Sequence, residues 1–265
     1  MRTSIMTLLL SLSLFACGDK DDTSTPAEAD ADTDADTDAD TDADTDADTD
    51  ADADEDAEIR LIHLSPDAPA VDIFVNMGDE PTVPGLTFPG GTGYLAVPAD
   101  SYDFQISAEG SSAADAVYEV AGLALSAGAS YTAVAHGSLG NGSFTVSPLV
   151  DDYSEMTAGA FRVQVFHAAD NSAFAQVDVW NITGGEASAL IPDFDYGTGV
   201  TTELPAGAYD ICLDVNNDAG CDASFSLPDL PEGIFVNLYA VNDSSGTPFL
   251  IAHLEDGSTA RIDAN

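Results

Sequence analysis

The chain has 265 residues, 45% of them apolar, and carries 48 acidic against five basic side chains, a formal charge of −43. That length accommodates one large or two ordinary domains. With no Lys beyond Lys20 there is no basic face for a phosphate backbone or an anionic lipid headgroup, so nucleic acid is excluded as an expected partner.

Residues 1–16 hold one positive charge at Arg2, an apolar run from Ile5 to Phe15 and a small residue before Cys17. This is the layout of a secretory signal peptide, too short to cross a membrane as a helix. Leu14-Phe15-Ala16-Cys17 resembles the lipobox of bacterial lipoproteins. The resemblance implies cleavage before Cys17, lipidation of its thiol and a membrane partner through the acyl chains, with Gly18 favouring the outer membrane. The expected location is therefore lipid-anchored in the envelope, with the rest of the chain at the cell surface or in the periplasm.

Residues 17–58 read as a tether. Asp occupies every second position from Asp30 to Asp54, and Thr-Asp-Ala-Asp recurs between Thr33 and Asp52. Neither alternating set is an apolar face, so the alternation does not specify a strand. Low hydrophobicity and like charge predict disorder extended by self-repulsion, reaching at most roughly 130–150 Å at about 3.3–3.6 Å per residue. Calcium suits carboxylate oxygens, yet a run without Gly lacks the turns that wrap an ion, and diffuse association is expected.

From Ile59 onward short apolar runs alternate with Gly, Pro, Asn and Asp, and no stretch has helical spacing. In the first half strands are predicted at Ile59 to Leu64, Val71 to Asn76, Tyr94 to Val97, Tyr102 to Ser107, Val117 to Val120, Ser130 to His136 and Ser143 to Val150. The second half repeats the first: Pro98 to Phe104 matches Pro205 to Ile211, Val71-Asp72-Ile73 matches Val177-Asp178-Val179, and Gly91-Thr92-Gly93 matches Gly197-Thr198-Gly199. The expected architecture is all-β, two tandem immunoglobulin-like antiparallel β-sandwich domains at 59–152 and 160–256, joined by a linker at 153–159 and followed by a tail at 257–265. Strand alternation turns Tyr102, Phe104 and Ile106 inward and Asp103, Gln105 and Ser107 to water; in the second copy Tyr209, Ile211 and Leu213 face in and Asp210, Cys212 and Asp214 face out.

The run from Ile59 through Ser65-Pro66-Asp67-Ala68-Pro69 to Asn76, with Gly93-Tyr94 and Pro98 to Tyr102, resembles the domain of unknown function 4397 family of secreted and surface bacterial proteins. Two copies cover nearly all of the chain after Ile59. The second replaces Ser-Pro-Asp-Ala-Pro by Ala169-Asp170-Asn171-Ser172-Ala173. The resemblance implies a fold and a location and brings no established activity.

Cys212 and Cys221 flank the turn-forming run Asn216-Asn217-Asp218-Ala219-Gly220, and a disulfide across a hairpin is expected in an oxidising compartment. Asp214, Asn216, Asp218 and Asp222 are weak calcium candidates, with Gly220 one place late and Phe225 where a bidentate carboxylate belongs; a solvated hairpin is the alternative. His63, Ser65, Asp67 and Asp72 form a possible ligand site, against a His that caps the loop through backbone hydrogen bonds. Trp180, beside Asp178, is a candidate for stacking on sugar rings or for packing under a loop. With no Gly-x-Ser-x-Gly elbow, His-Glu-x-x-His pair or P-loop, no catalytic residue and no cofactor are predicted, calcium apart. The reading is a non-enzymatic envelope lipoprotein presenting two sandwiches for binding or adhesion, to an extracellular protein or a glycan. The alternatives are a structural envelope protein without a diffusible ligand, or a calcium- or carbohydrate-binding module.

Overall fold

The computed structural model describes residues 55–216 and 218–265. The signal peptide, Cys17 and the aspartate run as far as Asp54 lie outside the described residues. The first repeat supplies β1 (Ala57–His63), β2 (Val71–Val75), β3 (Val83–Leu86), β4 (Gly90–Gly91), β5 (Leu95–Val97), β6 (Ser101–Ala108), β7 (Tyr118–Ala124), β8 (Ser130–His136) and β9 (Thr145–Asp151). The second supplies β10 (Ala160–His167), β11 (Gln176–Asn181), β12 (Ser188–Asp195), β13 (Gly199–Pro205), β14 (Gly207–Asp214), β15 (Ala223–Leu230), β16 (Phe235–Asn242), β17 (Pro248–His253) and β18 (Thr259–Asp263).

Each repeat is a two-sheet sandwich. In the first, β4-β1-β8-β9, with β5 also on β1, faces β3-β2-β6-β7; in the second, β13-β10-β16-β17-β18 faces β12-β11-β14-β15. The strand orders correspond, with β4 and β5 together in the place of β13. One pair in each copy is parallel, β1 with β8 and β10 with β16, and the rest are antiparallel. Both copies carry a tyrosine corner: the Tyr102 hydroxyl donates to the Pro98 carbonyl at 2.8 Å, and Tyr209 to Pro205 at 2.7 Å. The matching Pro-to-Tyr segments are thus the residues that hold a shared sandwich corner.

The inward sets lie as the alternation predicts, with Phe104, Ile106, Ile211 and Leu213 in the two cores. Of the outward sets, Asp103 and Asp210 are exposed as expected and the others depart from it. Gln105, Ser107, Cys212 and Asp214 are all buried, because connecting loops fold over the outer face of each β2- or β11-containing sheet. Gln105 accepts from the Met77 amide and Asp214 from the amides of Asn216 and Ala219. Polar groups on a covered face are kept there by such bonds.

The other sheet of each sandwich is covered too, by its counterpart. Ile62, Val134, Phe166, Tyr239, Phe249 and Ile251 form a third apolar cluster, built from outer faces of β1, β8, β10, β16 and β17. These sheets therefore pack on each other, giving four layers. Strands buried on both faces read as continuous apolar runs, which accounts for β16, Phe235–Asn242, in which every residue is buried. The segment read as a linker is pinned, since Arg162 donates from Nη1 to the carbonyls of Asp152 and Ser154. The segment read as a tail contains β18, which pairs with β17 and ends where the Asn265 amide donates to the Ser224 carbonyl of β15 at 2.9 Å. β3 lies where no strand was predicted, because Pro84 and Gly85 give it the appearance of a turn and an edge position tolerates both.

Candidate functional site

His63 closes β1. Its Nδ1 accepts from the Ser65 amide at 3.3 Å and its Nε2 lies 3.2 Å from the Pro69 carbonyl, partners that assign the proton to Nε2. His167 repeats the arrangement with the Ala169 amide and the Phe174 carbonyl. Asp67 accepts from the hydroxyls of Ser65 and Ser138 and from the amides of Leu139 and Gly140. Asp72 is elsewhere, on β2, where each oxygen takes one amide, Gly85 and Gly110, at 2.7 Å. His63, Ser65 and Asp67 thus come together as a loop brace, and Asp72 ties β3 and the loop after β6 to β2.

Trp180 stands where the first copy has the fully buried Phe74, on the outer face of its sheet beside Cys212. It is half-buried, and its indole N–H is buried without a protein acceptor among the described residues. Cys212 and Cys221 are disulfide-bonded. In the loop they close, Asp214 accepts from Asn216 and Ala219, Asn216 from Asp218, Asp218 from Gly220 and Asp222 from Val215, all backbone amides. The oxygens that a cation would need are turned onto the loop's own backbone. Among the described residues no group of three or more His, Cys, Asp or Glu is arranged to hold a metal.

All four histidines are buried. Burial holds His63 and His167 below the ordinary imidazole value, and brings His136 and His253 down to about 4, helped for His253 by the charge of Arg60. His136 lies between the Ser147 hydroxyl (3.0 Å) and the Tyr196 hydroxyl (2.9 Å), a bridge between the sandwiches. Neither it nor Ser147 borders any of the three cavities described for the chain. Nearby, Arg60 donates to Thr132 and the Leu254 carbonyl and lies 3.6 Å from Asp151, which also accepts from Tyr94, Thr132 and Asn237. These groups tie the four layers together.

The feature that sets the copies apart is a cavity. Between the sheets of the second sandwich lies an apolar space of about 600 Å³, whereas the corresponding space in the first is about 20 Å³. Protein interiors normally contain few voids larger than a water molecule. The size falls within the range of about 300–1,000 Å³ usual for small-molecule sites.

Two differences between the copies accompany the space. The register pairs Ile59 with Tyr131 in the first copy and Val163 with Val236 at the same place in the second; Phe104 on β6 is likewise replaced by Ile211 on β14. At these two positions the first core has aromatic rings and the second has aliphatic side chains, while the second core's own rings, Phe161, Phe194 and Phe225, stand elsewhere. β18 also widens one sheet by a strand, and beyond it the Asn265 amide bonds the Ser224 carbonyl of β15. The mouth lies at the end where β15 and β17 finish and β16 and β18 begin, bordered by the exposed Pro231, Leu254, Glu255 and Asp256. The sequence carried a signal for this site in the Tyr131–Val236 and Phe104–Ile211 contrasts. Reading the first of these requires the register of the parallel pairs.

Residues 57–180 match the model of one family, the domain of unknown function DUF4397, a span that runs through the first sandwich and into β11. No curated protein matches the chain. Among solved structures, the chain is 16% identical to a streptococcal virulence factor described by its alpha-glucan binding, with 69% of this chain and 93% of that one covered and a TM-score of 0.23. It is 10% identical to the Bacillus anthracis TIE protein, with 79% of this chain and 44% of that one covered and a TM-score of 0.22. The family match thus covers the first sandwich and the first two strands of the second.

Proposed function

We propose that this chain is a non-enzymatic binding protein of the bacterial envelope, lipid-anchored at Cys17, whose second sandwich takes up a small apolar ligand. The observation that carries the reading is the contrast between an open apolar core of about 600 Å³ and a filled one of about 20 Å³ in two copies of one fold. A non-enzymatic role is supported by the histidines, each buried and depressed toward the neutral form, none of them bordering the three cavities described above. The acidic tether would hold the four-layer body away from the membrane, and the packed first sandwich would serve as its rigid support.

The test is fluorescence titration with N-phenyl-1-naphthylamine, a neutral apolar dye that brightens when it leaves water. Saturable binding of one dye per chain with micromolar affinity is expected. A linear, unsaturable signal would contradict uptake into a defined cavity.

A further inference from the structure

Resting on the cavity reading above, we infer that the ligand of the second sandwich is an amphiphile with an apolar chain and a cationic headgroup, seated with its head at Glu255 and Asp256. The cavity wall is aliphatic and aromatic in its depth, as at Val179, Ile191, Phe194 and Leu238. It offers a chain dispersion contacts, with the hydroxyls of Thr202 and Tyr209 as the polar groups on its wall, the latter already donating to the Pro205 carbonyl. Acidic groups occur only at the mouth, in the turn between β17 and β18, where Glu255 and Asp256 are exposed and also border the cavity.

Among the described residues no ion pair reaches either carboxylate; Arg60 donates to the neighbouring Leu254 carbonyl, and Asp256 accepts from the amide and hydroxyl of Ser258. Of the basic side chains among the described residues, Arg60 is buried against Asp151, Arg162 pairs with Asp152 and Glu203, and Arg261 pairs with Asp263 while lying over the Phe249 ring on the opposite face of its sheet. Asp229 near the end of β15 and Glu232 in the β15–β16 connection are exposed and acidic as well. A carboxylate or phosphate head would meet uncompensated negative charge, and an alkylammonium head would meet its complement. The chain would bind by burial, each added methylene tightening binding roughly fourfold until the space is filled.

The experiment displaces N-phenyl-1-naphthylamine from the full chain in 0.15 M salt, below micellar concentrations, with three dodecyl compounds: dodecyltrimethylammonium, dodecanol and dodecanoate. The same series is run on the double variant Glu255→Gln, Asp256→Asn. The trimethylammonium compound is expected to bind about tenfold more tightly than dodecanoate to the native chain, with dodecanol between them, and the difference should vanish in the variant. Equal affinities in the native chain would overturn the headgroup assignment while leaving apolar uptake standing. A preference that persists in the variant would also overturn it, assigning the selectivity to the overall charge. Failure of all three compounds to displace the dye would remove the cavity reading and this inference together.

Discussion

Arg60 in the first sandwich donates from Nη1 to the carbonyl of Leu254 in the second, across 194 positions of chain, with its side chain wholly buried. Its Nε bonds Thr132 and its guanidinium lies over the Tyr94 ring. A charge buried this completely persists only because each neighbour answers part of it, and truncating it leaves Asp151 without its counter-charge. Arg60→Ala is expected to lower stability by about 3–5 kcal/mol. Because Arg60 joins both copies, calorimetry should show one transition moving as a unit; two transitions, with only the first shifted, would contradict the four-layer description.

Acid should weaken the fold in a defined window. The histidines sit below their unfolded value of about 6.5, so between that pH and about 4 the unfolded chain binds more protons than the folded one. Stability is fully present above the window and is lost as pH falls through it. His136 and His253, at about 4, contribute on the order of 3 kcal/mol each. Urea unfolding at pH 7.5, 6 and 4.5 measures the slope, and His253→Gln should flatten it; an unchanged slope would assign the effect to other groups.

The tyrosine corners offer a matched pair. Tyr102→Phe and Tyr209→Phe each delete one hydroxyl bond to a carbonyl four residues upstream and should each cost about 1 kcal/mol in urea unfolding. A cost at one site alone would mean that the corner has different roles in the two copies.

The disulfide lies over the outer face of the second sandwich beside Trp180, and its cysteines are nine positions apart. Chain-entropy reasoning assigns a loop of that size about 2.5 kcal/mol. The Cys212→Ser, Cys221→Ser variant should lose stability by about that amount, read from denaturant midpoints. Its affinity for the dye should be unchanged, because neither cysteine borders the cavity. A fall in affinity would link the outer face to the core.

Much of this was legible in the residues. Period-two alternation gave the inward faces of β6 and β14, and the internal match picked out segments that became equivalent corners. Turn chemistry around Ser65 to Pro69 pointed to a braced loop. What escaped was non-local. That Gln105 and Asp214 would be covered depends on loops folding back, and that β1, β8, β10 and β16 would be buried on both faces depends on sheet meeting sheet. β3 was hidden by Pro84 and Gly85, and the cavity by the need to know which residue of one copy faces which of the other.

The account turns on that cavity, and the sharpest measurement transplants the first core into the second. Val236→Phe with Ile211→Phe restores aromatic rings at the positions of Tyr131 and Phe104. Filling an apolar void commonly adds about 0.5–2 kcal/mol, so the double variant should unfold at higher urea while its affinity for N-phenyl-1-naphthylamine drops at least tenfold. A variant that binds the dye as the native chain does and is less stable would show a second core as well packed as the first, and would contradict the account.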